Sequence, residues 1–120
     1  MITVITDLPE GILGADATGQ ITADDYRKVL VPAIDAATAG GGKVRLLFRL
    51  GPEFQGIDPD AMWQDAKLGA AHARAFERVG VVTDVEWLTK SMHAFGWLVP
   101  GEVKVFPNAE YDKAVDWLAH

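Results

Sequence analysis

Strand-like and helix-like segments alternate along almost the whole chain, and turn residues separate nearly every pair. Ile2 to Ile5 and Ile12 to Ala17 are short apolar runs split by Leu8-Pro9-Glu10-Gly11, which predicts a β-hairpin with a longer loop. Thr22-Ala23-Asp24-Asp25 reads as a helix start, with a hydroxyl cap and acids in the first turn. Tyr26, Val29, Leu30, Ala33, Ile34 and Ala37 follow at helical spacing. Pro32 removes one donor inside that pattern and predicts a kink, and Gly40-Gly41-Gly42 ends the helix.

A strand is expected from Val44 to Leu50, followed by a loop over Gly51-Pro52-Glu53-Phe54-Gln55-Gly56. Asp58-Pro59-Asp60 opens a second helix, with an acid cap and proline at the first helical position. Val79 to Val82 is a short apolar strand. Thr83-Asp84-Val85-Glu86 resembles a capping box and starts a third helix ending near Phe95-Gly96. Val103 to Phe106 is the last strand, and Asn108 is expected to cap a final helix carrying Tyr111, Ala114, Val115 and Leu118 on one face.

The order β-β-α-β-α-β-α-β-α specifies an α/β fold with a mostly parallel sheet of about five strands joined by right-handed crossovers. Arg45, Arg49 and Lys104 occupy alternate strand positions, whereas a sheet covered on both faces is apolar throughout. The sequence therefore predicts four helices on one face and a partly wet opposite face. At 120 residues the chain has the length of one ordinary domain, 1–120, with no repeat and no linker that would split it.

Composition narrows the chemistry. Zero Cys excludes disulfides, thiolate catalysis and Cys-based metal sites, and fits a reducing compartment. Ser91 is the single serine. With 11 Lys and Arg against 17 Asp and Glu, and no basic run, the net charge of -6 argues against nucleic acid. No targeting segment and no apolar run of spanning length is present, so a cytoplasmic protein, at most peripheral to a membrane, is expected.

Two glycine-rich stretches look like nucleotide loops and are not. Gly40-Gly41-Gly42-Lys43 lies between a helix and a strand and lacks the Ser or Thr that a phosphate loop needs after its lysine. Gly11-Ile12-Leu13-Gly14 opens a strand, not a dinucleotide-binding helix. His72, His93 and His120 are too scattered for a metal site. An acid–base site would need His72 to meet Asp65 or Glu77 in a cleft, and these positions read as rim packing. No cofactor, metal or catalytic residue is assigned, and the chain is expected not to be an enzyme.

The element order resembles the STAS domain, the fold of anti-sigma factor antagonists. The local sequence resembles the SpoIIAA-like family of small stand-alone bacterial proteins. That resemblance rests on Gly19 to Tyr26, Val31 to Ile34, Lys43 to Phe48, Trp63 to Lys67, Phe76 to Asp84 and Ala114 to Leu118. It covers nearly the whole chain and implies a fold distantly related to CRAL-TRIO lipid-transfer domains. It implies little about activity, because fold does not dictate function. Association with membranes and binding of apolar ligands have been suggested for members.

One departure from the family pattern matters. Anti-sigma antagonists are switched by phosphorylation of a Ser at the start of the helix after the third strand. Here that helix opens at Asp58-Pro59-Asp60, and Val44 through Val82 contains no Ser, Thr or Tyr. A switch that adds charge at that helix N-terminus has no acceptor.

The expected site is an apolar wall with one polar anchor. Met62 and Trp63 on the second helix, Trp87, Met92 and Phe95 on or near the third, and Trp97 and Leu98 in the glycine-bounded segment after it supply the wall. Arg49, at the C-terminal end of a strand where ligands of parallel sheets gather, supplies the anchor, with Phe54 covering it. The expected function is a non-enzymatic binding module for an apolar or lipid-like small molecule, or for a membrane surface at which Trp would sit. The alternative is a protein-interaction or regulatory module without the phosphoserine switch, with a homodimer as one partner. The opposing reading of the same residues is plain core cover, since single apolar residues on surfaces are ordinary.

Overall fold

The structure is a computed structural model, and it describes residues 1–60, 76–86, 90 and 102–120. Five strands form one sheet in sequential order: β1 (Ile2–Ile5), β2 (Ile12–Ile21), β3 (Val44–Ile57), β4 (Phe76–Thr83) and β5 (Glu102–Phe106). β1 runs antiparallel to β2, as the hairpin signals require, and β2 through β5 are parallel. The α/β class and the mostly parallel five-stranded sheet are thus as the sequence predicts.

The arm between β2 and β3 has three parts: α1 (Ala23–Asp25), a π-helical turn over Tyr26–Leu30, and α2 (Val31–Ala37). Thr22 caps it in a full capping box: Asp25 N donates to Thr22 Oγ1 at 3.3 Å, and Thr22 N donates to Asp25 Oδ2 at 2.8 Å. The expected kink at Pro32 takes the form of the π turn. Pro32 has no N–H for the Lys28 carbonyl, and its ring would crowd that carbonyl. The turn widens just before it, with Val31 N–H bonded to the Tyr26 carbonyl five residues back.

Two cores lie on opposite faces of the sheet. Tyr26, Leu30 and Ile34 pack with Ala15, Ala17, Leu46, Leu50, Val79 and Val81. On the other face Ala114 and Leu118 of α3 (Tyr111–Ala119) pack with Leu47, Val82 and Phe106. The strand pleat explains the split, because Leu46 and Leu47 are neighbours in sequence and point to opposite faces.

The expectation that all helices share one face, leaving the other wet, is therefore corrected. Right-handedness constrains a helix that joins two parallel strands. In a sheet whose strands follow in sequence order, such connections fall on one side. α3 follows the last strand, joins nothing, and folds back over the opposite face. The described residues hold two helical arms. The second and third expected helices fall mainly outside them.

The charged strand positions are reinterpreted by the same packing. Arg45 Nη1 donates to the Leu118 carbonyl, and Arg78 Nη1 donates to the Trp117 carbonyl at 2.7 Å. These are terminal carbonyls of α3, which have no partner inside the helix and lie at the negative end of its dipole. The arginines cap a helix instead of facing water.

Two glycines let this face close. A Cβ on Gly80 would meet Leu118 Cδ1 at 3.2 Å, so α3 seats directly on β4 there. A Cβ on Gly14 would lie 2.3 Å from Leu8 Cδ1 and 2.9 Å from Ile5 Cβ, so the hairpin loop folds down onto β2.

β3 is longer than expected. The segment Gly51 to Gly56 belongs to the strand and not to a loop. Its pairing with β2 jumps from Ala17↔Leu50 to Gly19↔Phe54, so Gly51, Pro52 and Glu53 face Thr18 alone. This is a bulge. It gives Pro52, which cannot donate to a ladder, a place within a paired strand.

Candidate binding site on the face covered by the last helix

The bulge opens a cavity of about 310 Å³ lined by Asp16, Thr18, Arg49, Gly51, Pro52 and Glu53. Asp16 and Arg49 are register partners on neighbouring strands and share the face covered by α3. Arg49 Cζ sits 5.1 Å from the centre of the Tyr111 ring, a cation–π contact with the first residue of α3. The guanidinium also lies against Gly51. A Cβ there would be 3.6 Å from Arg49 Nε and 3.9 Å from Cζ, in ordinary contact.

Arg49 differs from the other two arginines of this face. Its Nε is buried and has no hydrogen-bond partner, and no ion pair within 4 Å joins it to Asp16 or Glu53 among the described residues. A buried donor without an acceptor is unfavourable and uncommon, by about 1–3 kcal/mol, and asks for an explanation.

The phenol of Tyr111 records the surrounding field. Burial pushes its pKa above the ordinary 10.0; Arg49 pulls it back, while Asp7, Asp16 and Asp112 push it further up. Among the described residues the cavity lining thus combines Arg49 with the carboxylates of Asp16 and Glu53, and the Tyr111 phenol lies against Arg49 beside it.

Beside this site the entry to α3 is fixed by Asp84. Its Oδ1 accepts from Asn108 N at 3.0 Å and its Oδ2 from Asn108 Nδ2 at 3.2 Å. Asn108 opens a short 3₁₀ turn, Asn108–Glu110, without capping it by its own side chain, contrary to expectation. Among the described residues its Oδ1 is the other buried side-chain polar atom without a partner. The turn packs on β3 and β4 at the ends of these strands. Arg78 lies 3.9 Å from Glu102 and stacks on Trp117.

The structure separates the two expected site residues that it describes. Arg49 lies under α3, whereas half-buried Phe54 packs with the first core on the opposite face. Phe54 does not cover Arg49. The reason is the bulge: it carries Phe54 back into register with Gly19 instead of leaving it on a free loop. Met62, Trp63, Trp87, Met92, Phe95, Trp97 and Leu98 lie outside the described residues, as do Asp65, His72 and His93. Sequence reading missed Asp16, Tyr111 and the bulge. An acid at Asp16 within a small-residue strand was the available signal.

Among the described residues, no group of three or more His, Asp or Glu side chains could hold a metal ion. No helix there is long and apolar enough to cross a membrane.

A family model described as SpoIIAA-like matches residues 12–119, which includes every strand from β2 onward and α3. The chain belongs to the SpoIIAA-like family. Among solved structures it is similar to an uncharacterized protein with a SpoIIAA-like fold from Shewanella loihica, at 29% sequence identity. That similarity covers 98% of this chain and 93% of the other, with a TM-score of 0.81. No curated protein matches the chain. The SpoIIAA-like fold is therefore established, and with it the STAS-type arrangement of a mostly parallel sheet with helices. In this member Arg49 stands in register between Asp16 and Val82, just before the bulge in β3.

Proposed function

We propose that this SpoIIAA-like chain is a non-enzymatic binding module that holds a small ligand through an acceptor group on Arg49. One observation carries the reading: a buried guanidinium donor without a partner, stacked on Tyr111 and bordering a cavity of about 310 Å³. A charged donor gains most from an acceptor that reaches it in a partly dry site. Among the described residues no group of three or more His, Asp or Glu side chains that could hold a metal ion is present.

The lipid-like ligand and the membrane surface expected from the Trp87 to Leu98 region are narrower versions of this proposal. An amphiphile with an acidic head would engage Arg49 by the same contact. Regulation by serine phosphorylation at the Asp58 helix start has no acceptor residue in the sequence.

The test is nuclear magnetic resonance of ¹⁵N-labelled protein titrated with matched acidic and neutral fragments. Acidic fragments are expected to shift the Arg49 side-chain signal together with the amide of Gly51, and Arg49→Gln is expected to abolish both shifts. If acidic fragments leave Arg49 unmoved, the proposal fails.

A further inference from the structure

The geometry points to a small zwitterion, of the size of a free amino acid, as the ligand of the β3 bulge, with its carboxylate on Arg49 and its ammonium between Asp16 and Glu53. This inference rests on the proposed role of Arg49 and specifies the class of ligand.

The charges on the cavity wall decide it. Among the described residues, Arg49 is the one cation of the lining, and Asp16 and Glu53 are its two acids. A doubly charged anion such as phosphate would gain from Arg49 but face both carboxylates. A simple cation would gain from the acids but face the guanidinium. A molecule with both charges a few bonds apart satisfies each wall, and like-charge juxtaposition rejects the others.

Position supports the same choice. Asp16 and Arg49 are register partners, so their Cα atoms sit about 5 Å apart across the sheet. Yet no ion pair within 4 Å joins them among the described residues. The guanidinium turns toward Tyr111 and Gly51 instead. The three residues facing Thr18 displace Glu53 from the ladder, leaving space between the charges. The cavity's 310 Å³ lies at the small end of the range for ligand pockets, which suits a compact molecule.

The experiment is titration of the full chain, followed by the same resonance signals, with a panel of free amino acids, acetate, methylammonium and inorganic phosphate. At least one amino acid is expected to bind about tenfold tighter than acetate or methylammonium, the size of one charge-assisted hydrogen bond. Asp16→Asn and Arg49→Gln are each expected to weaken that amino acid about tenfold. The exposed Glu53→Gln provides a variant that leaves the strand interior intact, and it should also weaken binding. If acetate or phosphate binds through Arg49 as tightly as every amino acid, and Glu53→Gln and Asp16→Asn change nothing, the zwitterion is wrong while Arg49 recognition stands. If no probe shifts Arg49, both fall.

Discussion

Arg78 of β4 holds the end of the last helix: its Nη1 donates to the Trp117 carbonyl at 2.7 Å, and its guanidinium lies 5.4 Å from the centre of the Trp117 ring. One side chain thus satisfies a terminal carbonyl and covers the aromatic face beside it. Arg78→Gln is expected to cost about 1–2 kcal/mol, combining a charge-assisted hydrogen bond with a partly exposed cation–π contact. Urea unfolding should show a lower midpoint at unchanged slope. A midpoint equal to that of the parent chain would contradict the capping role.

Gly14 is under steric and not conformational constraint. With Leu8 Cδ1 and Ile5 Cβ both inside 3.0 Å of where its Cβ would stand, Gly14→Ala must push the hairpin loop off the sheet. The expected loss is about 1–3 kcal/mol, the usual range for overpacking. Gly42→Ala, where a Cβ would meet nothing, serves as the control. Thermal denaturation of the two variants should separate them.

Asp25 makes the first helical arm sensitive to acid. Burial raises its pKa, but hydrogen bonds from Thr22 and the nearby terminal ammonium outweigh that and leave it below the ordinary 3.8. A carboxylate with a depressed folded pKa contributes stability that is complete above its unfolded value and disappears as pH falls through the folded one. The capping box should therefore be at full strength above about pH 4 and be lost at lower pH. Asp25→Asn is expected to flatten that part of the stability–pH curve. An unchanged acid limb would show that other carboxylates set it.

Tyr111 reports on the candidate site without any ligand. Removing the nearby cation in Arg49→Gln should raise the phenol's pKa further, and removing an anion in Asp16→Asn should lower it. Phenolate absorbance during an alkaline titration distinguishes the directions. Opposite signs from those given would place the two charges elsewhere.

Loss of the Asp84 carboxylate should free the start of the last helix. Asp84→Ala removes both acceptors of Asn108, including that of its backbone N–H. The expected cost is about 1–3 kcal/mol, with faster amide exchange over residues 108–111. Exchange unchanged in that turn would rule out Asp84 as its anchor.

Local chemistry made much of the fold legible. The Thr22 cap, the proline inside the first helical arm, the glycine stop after it and the hairpin turn at Pro9 act over a few residues, so sequence spacing exposes them. The parallel order followed from the alternation of elements and the handedness of crossovers. The candidate site was half legible: Arg49 stands out as a charge within an apolar strand, although β3 runs on past it to Ile57. Tyr111, which stacks on it, is more than sixty residues away in the chain, and no local rule links them.

The sequence by itself determined the class of fold, the mostly parallel character of the sheet, the exclusion of cysteine chemistry and the absence of a hydroxyl around Asp58-Pro59-Asp60. Tertiary structure decided the rest. It sent the last helix to the face that looked wet, because a helix that joins no second strand is free of the crossover rule and goes where Gly80, Leu47 and two capping arginines receive it. It also turned Gly51-Pro52-Glu53 from a loop into a bulge, because the flanking residues on both sides could still pair with β2. Each outcome depends on contacts between distant residues, and those contacts left Arg49 with a buried Nε that has no acceptor among the described residues.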